Sequence, residues 1–267
     1  MNYKSYKPEP SLNQYIREYW VMNSEGDQAS VERKIIPDGF PELILHFGDP
    51  YEININGHWE EQNSCSVAGQ IRKKYSLRNT GHTAILGIKL QPAAVAQIFN
   101  LDMSDLVDQV IPLPIEHRFV WESLINDPNN IDKITDVIAF IEEHLKAIIN
   151  VEMSRPPEQD ALDHLVNKNG SIDLEELCQT FLTNERKLAR YFKSNVGLSP
   201  KVYSRILRFA HIIKLLEGHE KNWAEISNYA ELYDQADFIN SFKDFTGEEP
   251  SNYGFSQETM ATFFLKT

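Results

Sequence analysis

As far as residue 90, apolar positions come in short bursts or alternate with polar ones; beyond that the period changes. The bursts at 18–22, 31–36, 42–47, 51–55, 66–68 and 84–90 have the length and composition of β-strands. Turn signals separate them at Pro37-Asp38-Gly39, Gly48-Asp49-Pro50, Asn56-Gly57 and Thr80-Gly81. Asn56-Gly57 suits a hairpin, because both residues tolerate positive φ. Short strands at this spacing predict a small β-barrel or sandwich. After Pro92 the pattern is helical, with short pieces at 93–99, 104–110 and 116–125. A longer helix at 132–149 carries Ile134, Val137, Ile138, Ile141, Leu145 and Ile148 near one face. That face could meet its own barrel or a second copy of the chain, and the pattern leaves both open.

Pro156-Pro157 cannot continue a helix and marks a break. It divides the chain into a sensor or dimerisation domain (1–152), a linker (153–158), a helical domain (159–255) and a tail (256–267). The predicted architecture is therefore α+β, with strands and some helices first and an all-α domain after. In the helical part, Asp173 with Glu176 reads as a capping box, and Leu174, Leu177 and Phe181 as an inner face. Asn184 should cap the next helix. At 100° per residue, Leu188 and Phe192 share one side of it; Arg186, Arg190 and Lys193 share the other. Ser199 and Pro200 open a connecting helix running to about residue 217, roughly 27 Å at 1.5 Å per residue. Lys201, Arg205 and Arg208 lie on one face of its first half. Ile206, Phe209, Ile212, Ile213 and Leu216 make the rest apolar, as in a helix held between two lobes. Gly218 stops it.

A repeat changes the picture. Leu188, Phe192, Gly197, Pro200 and Tyr203 recur at an offset of fifty as Phe238, Phe242, Gly247, Pro250 and Tyr253, and Lys193 recurs as Lys243. A short amphipathic stretch precedes each set, with Leu174 and Leu177 in the first and Trp223 and Ile226 in the second. Each unit reads as helix, turn, helix. Such a helix-turn-helix can place its second helix in the major groove of DNA. Asn222 with Glu225, and Asp234, supply the second unit's caps. Where the first unit has Arg186, Arg190 and Lys193, the second has Ala236, Asn240 and Lys243.

The net charge of −13 argues against nucleic acid when taken whole. Its distribution argues the other way: between residues 183 and 214, eight basic residues face Glu185 alone. A concentrated basic strip on an acidic body suits a site-directed DNA binder, although a merely solvated cationic face is the commoner explanation of one such helix. No run approaches transmembrane length, and the N-terminus lacks an apolar signal region, so a cytoplasmic location is expected and no membrane partner. Cys65 and Cys178 are too far apart for metal-type spacing and read as buried, reduced thiols.

The stretch from Ala161 to Tyr253 resembles the DNA-binding domain of AraC/XylS-type transcription regulators. The residues carrying the likeness are Leu188-Ala189-Arg190-Tyr191-Phe192-Lys193, Val196-Gly197-Leu198-Ser199-Pro200, Asp234-Gln235, Phe238, Phe242-Lys243, Phe245, Gly247, Pro250 and Tyr253. Pro37-Asp38-Gly39 with Glu42-Leu43-Ile44, and Gly87-Ile88-Lys89-Leu90-Gln91-Pro92, resemble the poorly characterised sensor domains that precede some such regulators. The resemblance implies two lobes on a rigid rod, each entering a successive major groove of double-stranded DNA. The rod plus lobe widths is compatible with one DNA turn of about 34 Å. It implies base- or backbone-facing roles for Arg186, Ala189 and Arg190 in the first lobe and for Gln235, Ala236 and Asn240 in the second. Arg190 could pair bidentately with guanine. Three positions depart from the family pattern: Glu231 replaces a usual Gly, Asn240 a usual Arg, and Asp237 a frequent His. The first lobe is therefore expected to supply most of the affinity, while the second reads bases weakly or touches RNA polymerase. A small-molecule effector and a second copy of the chain are further candidate partners.

Two rival readings remain. His46, His58 and His82 fall in or beside predicted strands and could hold a metal, but they lack a short ligand spacing. With no nucleophile-elbow or phosphate-loop pattern either, no enzyme, cofactor or metal is expected. The other rival is a protein-binding regulator whose second DNA face has decayed. The first domain is either a filled barrel or one with an effector pocket lined by Trp20, Phe40, Phe47, Trp59 and Tyr75.

Overall fold

A computed structural model describes residues 2–25, 29–55, 57–149, 155–216 and 235–248. Its N-terminal strands form two antiparallel sheets. The larger orders β1 (Asn2–Tyr6), β2 (Ile16–Asn23), β9 (Ala84–Leu90), β4 (Glu42–His46), β7 (Cys65–Ala68) and β10 (Val110–Pro112). The smaller orders β3 (Glu32–Ile35), β8 (Tyr75–Asn79), β5 (Tyr51–Asn54) and β6 (Glu60–Glu61). They do not close into a barrel. They pack as a sandwich, with Trp20, Met22, Ile44 and Ile85 of the larger sheet against Ile35, Tyr51, Ile53 and Leu77 of the smaller.

The central strands of the larger sheet are buried on both faces. Tyr19, Leu43, Leu45, Leu86 and Ile88 point away from the sandwich into a second core. That core is covered by α1 (Ala94–Phe99), α2 (Ile115–Ile125) and α3 (Ile134–Ile148), which contribute Trp121, Val137, Ile141 and Leu145. Double burial is why these strands read as continuous apolar bursts rather than a clean alternation. It also settles the role of α3, whose apolar stripe is turned to its own domain.

Strands β1, β6, β8 and β10 were not expected from the pattern. In β8, Tyr75 and Leu77 pack inward while polar Ser76 and Arg78 alternate with them. The helix expected at 104–110 is only a 3-10 turn, Met103–Leu106, after which Val110 enters β10. Asp108 ends the turn: its φ is +56° and its carboxylate accepts the Arg72 backbone N–H at 2.7 Å, tying the chain to the neighbouring loop.

The C-terminal domain contains α4 (Pro157–Asn167), α5 (Leu174–Thr180), α6 (Glu185–Asn195), α7 (Pro200–Leu216) and α8 (Gln235–Thr246). Pro157, expected in a linker, is the first residue of α4, a position where its missing N–H is harmless. Leu162, Leu165, Leu177, Leu188, Phe192, Tyr203, Ile206, Phe209 and Phe242 form this domain's core. Ile36 and Ala93 of the N-terminal domain belong to the same cluster, so the two domains share a packed boundary. Cys65 and Cys178 are both buried and unbridged. The hairpin residue Asn56, the helix stop Gly218, the second unit's Asn222, Trp223, Glu225, Ile226, Glu231, Asp234, Pro250 and Tyr253, and the tail all lie outside the described residues.

Candidate nucleic-acid interface

The first lobe is built by two caps and one buried ridge. The Asp173 carboxylate accepts the N–H groups of Glu175 and Glu176, at 2.8 and 3.3 Å, and starts α5. Asn184 Oδ1 accepts the Lys187 N–H at 3.0 Å and starts α6. Leu188 and Phe192 of α6 are buried, and the Phe192 ring meets Tyr203 edge-on at 5.9 Å. Gly197 ends the helix at φ +88°, its N–H returning to the Phe192 carbonyl at 2.9 Å. On the opposite side Arg186, Lys187, Arg190 and Lys193 are all exposed; Ala189 is also exposed beside them. The described ion pairs internal to the domain engage Arg155 and Arg205 instead.

The connector α7 begins as expected, with Ser199 Oγ accepting the Val202 N–H at 3.3 Å. The three basic residues of its first half do not form one open strip. Lys201 is exposed. Arg205 donates to Asp244 Oδ2 at 2.9 Å and to Ser241 Oγ at 3.1 Å, with its guanidinium 5.5 Å from the Phe245 ring centre. It is a strut between α7 and α8. Arg208 is half-buried against the turn at Gly170, where an added Cβ would lie 3.0 Å from Arg208 Cγ.

In the second lobe, α8 and the turn after it repeat the plan of α6. Phe242 and Phe245 of α8 are buried against Phe209, with ring centres 5.7 and 5.0 Å away. Gly247 takes φ +71°, and its N–H bonds to the Lys243 carbonyl at 2.8 Å. Asn240 and Lys243 are exposed, and so is Asp244. The side chains of Gln235 and Ala236 lie outside the described residues.

The N-terminal domain touches both lobes and the rod. At the first lobe, a Cβ on Gly197 would lie 2.4 Å from the Met103 carbonyl oxygen, so only glycine permits this approach. Tyr191 donates to Gln159, whose Oε1 also accepts from Gln97 Nε2 at 2.8 Å. Lys193 lies close enough to Asp102 to help lower that carboxyl's pKa, after the hydrogen bonds from Ser104. At the second lobe, the Lys74 N–H bonds to the Phe245 carbonyl at 2.9 Å, and Lys34 pairs with Glu248. At the rod, the Gly39 carbonyl accepts from Tyr203 Oη at 3.0 Å and Gln70 Nε2 at 2.9 Å. Gly39 itself has φ +89°, and an added Cβ would lie 3.0 Å from Leu207 Cδ2.

Of the aromatics expected in an effector pocket, Trp20, Phe40 and Tyr75 line a cavity of about 60 Å³ inside the sandwich, joined there by Tyr51. Phe47 packs in the other core, and Trp59 lies under the Arg78 guanidinium, 4.3 Å from it. Beside the cavity is a buried charge cluster that the sequence reading missed. Lys89 Nζ lies 2.9 Å from Asp38, 3.7 Å from Glu42 and 3.8 Å from Glu18. Burial pushes the Glu42 carboxyl up to about 7, against the pull of Lys89. The signal was present in residues 37–44 and 87–92, the two stretches that carry the N-terminal family likeness. Gly87 sits opposite Trp20 across the β2–β9 ladder, and a Cβ there would fall 1.9 Å from the indole. Gly87 thus seats the ring, and Lys89 binds the carboxylates.

His46 is buried, and burial lowers its imidazole to about 4; His58 is exposed. No three His, Cys, Asp or Glu side chains gather in metal-binding geometry among the described residues. No helix among them is long and apolar enough to cross a membrane.

Residues 177–254 match a family model described as a helix-turn-helix domain, and residues 4–112 match one described as a domain of unknown function, DUF6597. No curated protein sequence matches the chain. Among solved structures, ToxT from Vibrio cholerae is similar over 100% of both chains, at 10% identity and TM-score 0.47. ToxT from Vibrio cholerae O395 bound to (E)-4-(8-methylnaphthalen-1-yl)but-3-enoic acid is similar over 99% of this chain and 100% of that one, at 11% identity and TM-score 0.47. The AraC-like transcriptional activator CuxR is similar over 90% of this chain and 91% of its own, at 14% identity and TM-score 0.27. The helix-turn-helix match lies over the paired lobes and the exposed cationic helix, so the chain carries a helix-turn-helix domain behind a separate N-terminal domain.

Proposed function

We propose that the chain reads a specific site on double-stranded DNA chiefly through its first lobe, and that a small effector in the N-terminal domain adjusts that reading. Arg186, Ala189 and Arg190 are assigned to base edges and nearby backbone, and Lys193 and Lys201 to phosphates. Gln235, Ala236, Asn240 and Lys243 make the weaker contacts of the second lobe. The observation that carries this is the two-sidedness of α6: Leu188 and Phe192 are locked in the core, while Arg186 and Arg190 stand exposed one turn apart. Arginine is the side chain best suited to guanine O6 and N7.

The loop at residues 37–40 supports effector control, because it belongs to two sites at once. Asp38 and Phe40 line the sandwich cavity, while Gly39 between them bonds to Tyr203 on the rod. A ligand that moves this loop bears on α7, to which both reading helices attach. That is the physical content of a coupling between sites. A working place with the DNA, in the cytoplasm, follows from this reading. So do two further partners. The acidic second lobe suits RNA polymerase. A second copy of the chain has the exposed Ile115 and Phe119 of α2 to meet.

Selection of bound sequences from random duplex DNA tests the reading. One enriched motif is expected, with an affinity whose logarithm falls linearly with log salt, by about 0.9 per neutralised phosphate. A pool that enriches nothing sinks DNA reading and leaves the protein-interaction alternative.

A further inference from the structure

The sandwich cavity has a chemistry of its own. Its walls are aromatic on both sheets, with Trp20 from the larger and Tyr51 and Tyr75 from the smaller. Its charged side chains are carboxylates, Asp38 and Glu42. Both share the ammonium of Lys89, which stands behind them and does not line the cavity. The Trp20 indole N–H is also turned to Glu42. With Glu18, three carboxylates face one ammonium and leave negative charge in a poorly solvated place, which is costly until a cation offsets it. The raised carboxyl of Glu42 records that cost, and the Tyr75 phenol, pushed well up by burial and by both carboxylates, stays neutral. On the β6 side, Gln62 lines the same cavity, is only 6% exposed, and its amide lies against the buried His46 imidazole.

Aromatic walls with a carboxylate edge recognise alkylated ammonium ions, through the ring faces and the full charge together. An anion would meet Asp38 and Glu42 before it met Lys89. We propose that this cavity binds a compact alkylammonium ion, with Asp38 and Glu42 facing the charge and Trp20, Tyr51 and Tyr75 around the alkyl groups. This rests on the reading of the N-terminal domain as a sensor, and it names the ligand class for that site.

Choline and its isosteres test the assignment on the full-length protein. 3,3-Dimethylbutan-1-ol has the same shape without charge, and 3,3-dimethylbutanoate has the opposite charge. Binding is read by Trp fluorescence and by thermal shift, at constant ionic strength. Choline should bind at least tenfold more tightly than the alcohol, and the carboxylate should not bind. Glu42→Gln, which keeps shape and relieves buried charge, should weaken choline about tenfold while melting no lower than the parent. Asp38→Asn is the second variant should the first misfold. Equal affinity for choline and the alcohol, tighter binding of the carboxylate, or no binding of choline overturns the proposal. DNA affinity measured on the same samples is a separate readout: protein that binds DNA but not choline loses the ligand class and keeps the regulator.

Discussion

The two helices assigned to DNA share an inside and differ on the outside. α6 and α8 each bury a phenylalanine at the same repeat position, Phe192 and Phe242, and each ends at a glycine with positive φ, Gly197 and Gly247. Yet α6 carries four basic residues against one glutamate, and α8 one lysine against two aspartates. The inner positions are dictated by packing and by the chain reversal, so both copies keep them. The outer positions answer only to what lies outside. Their divergence means that the lobes meet different surfaces, or the same surface with unequal strength.

The sharpest way to break the symmetry is at the glycines. Any side chain at φ near +80° costs about 1–2 kcal/mol. At Gly247 an added Cβ meets first the Lys74 Cε at 2.8 Å, the far end of a flexible side chain. At Gly197 it meets the Met103 carbonyl oxygen at 2.4 Å, which is backbone. Gly197→Ala should therefore cost about 3 kcal/mol or more, strain plus overpacking, and Gly247→Ala only about 1 kcal/mol. Urea unfolding of the two variants measures the difference. Equal losses would mean that the first lobe is not held against the N-terminal domain as closely as described.

The next largest effect is on DNA. Arg190→Ala should weaken binding to a selected site by about 1–3 kcal/mol, the discrimination of one bidentate guanine pair. Asn240→Ala should weaken it by well under 1 kcal/mol, since α8 brings Asp237 and Asp244 with it. Fluorescence anisotropy on the same duplex compares them directly. If the two substitutions weaken binding equally, the lobes are equal partners and the outer-face comparison fails.

What could be read in advance follows the same inside–outside division. Phe192, Gly197, Phe242 and Gly247 were legible because a repeat exposes any position that packing demands twice. Asp173, Asn184 and Ser199 were legible because caps act within three residues, and each holds the backbone N–H groups expected of it. The boundary between the domains was not. Gly39 and Tyr203 lie 164 residues apart, and nothing local in either segment announces the other. The cavity was half legible. Trp20 and Tyr75 face into it, but Phe47 does not, because it continues the alternation of Leu43 and Leu45, which face the opposite core. The charge cluster was missed because Glu42 and Lys89 are polar residues in apolar bursts and Asp38 sits in a turn, and a linear reading takes such residues to be solvent-facing.

Arg205 gives the smallest effect and the finest test of the comparison. By spacing it belongs with Lys201 on a DNA-facing strip; in the structure it bridges the connector to the second lobe through Asp244 and Ser241. Its side chain is about one-third exposed and that of Asp244 nearly two-thirds, so the pair is well screened. Arg205→Ala should cost under about 1 kcal/mol of stability. The salt dependence of DNA binding then separates its two possible employments. Lys201→Ala removes a cation assigned to a phosphate and should reduce the log–log slope by about 0.9, whereas Arg205→Ala removes a strut and should leave the slope alone. Asp244→Asn supplies the converse, because it releases Arg205 from its acidic partner. If the slope rises in Asp244→Asn and falls in Arg205→Ala, the arginine reaches DNA and the second lobe is less idle than its charges suggest. If neither slope moves, Arg205 serves only to hold α8 against the rod.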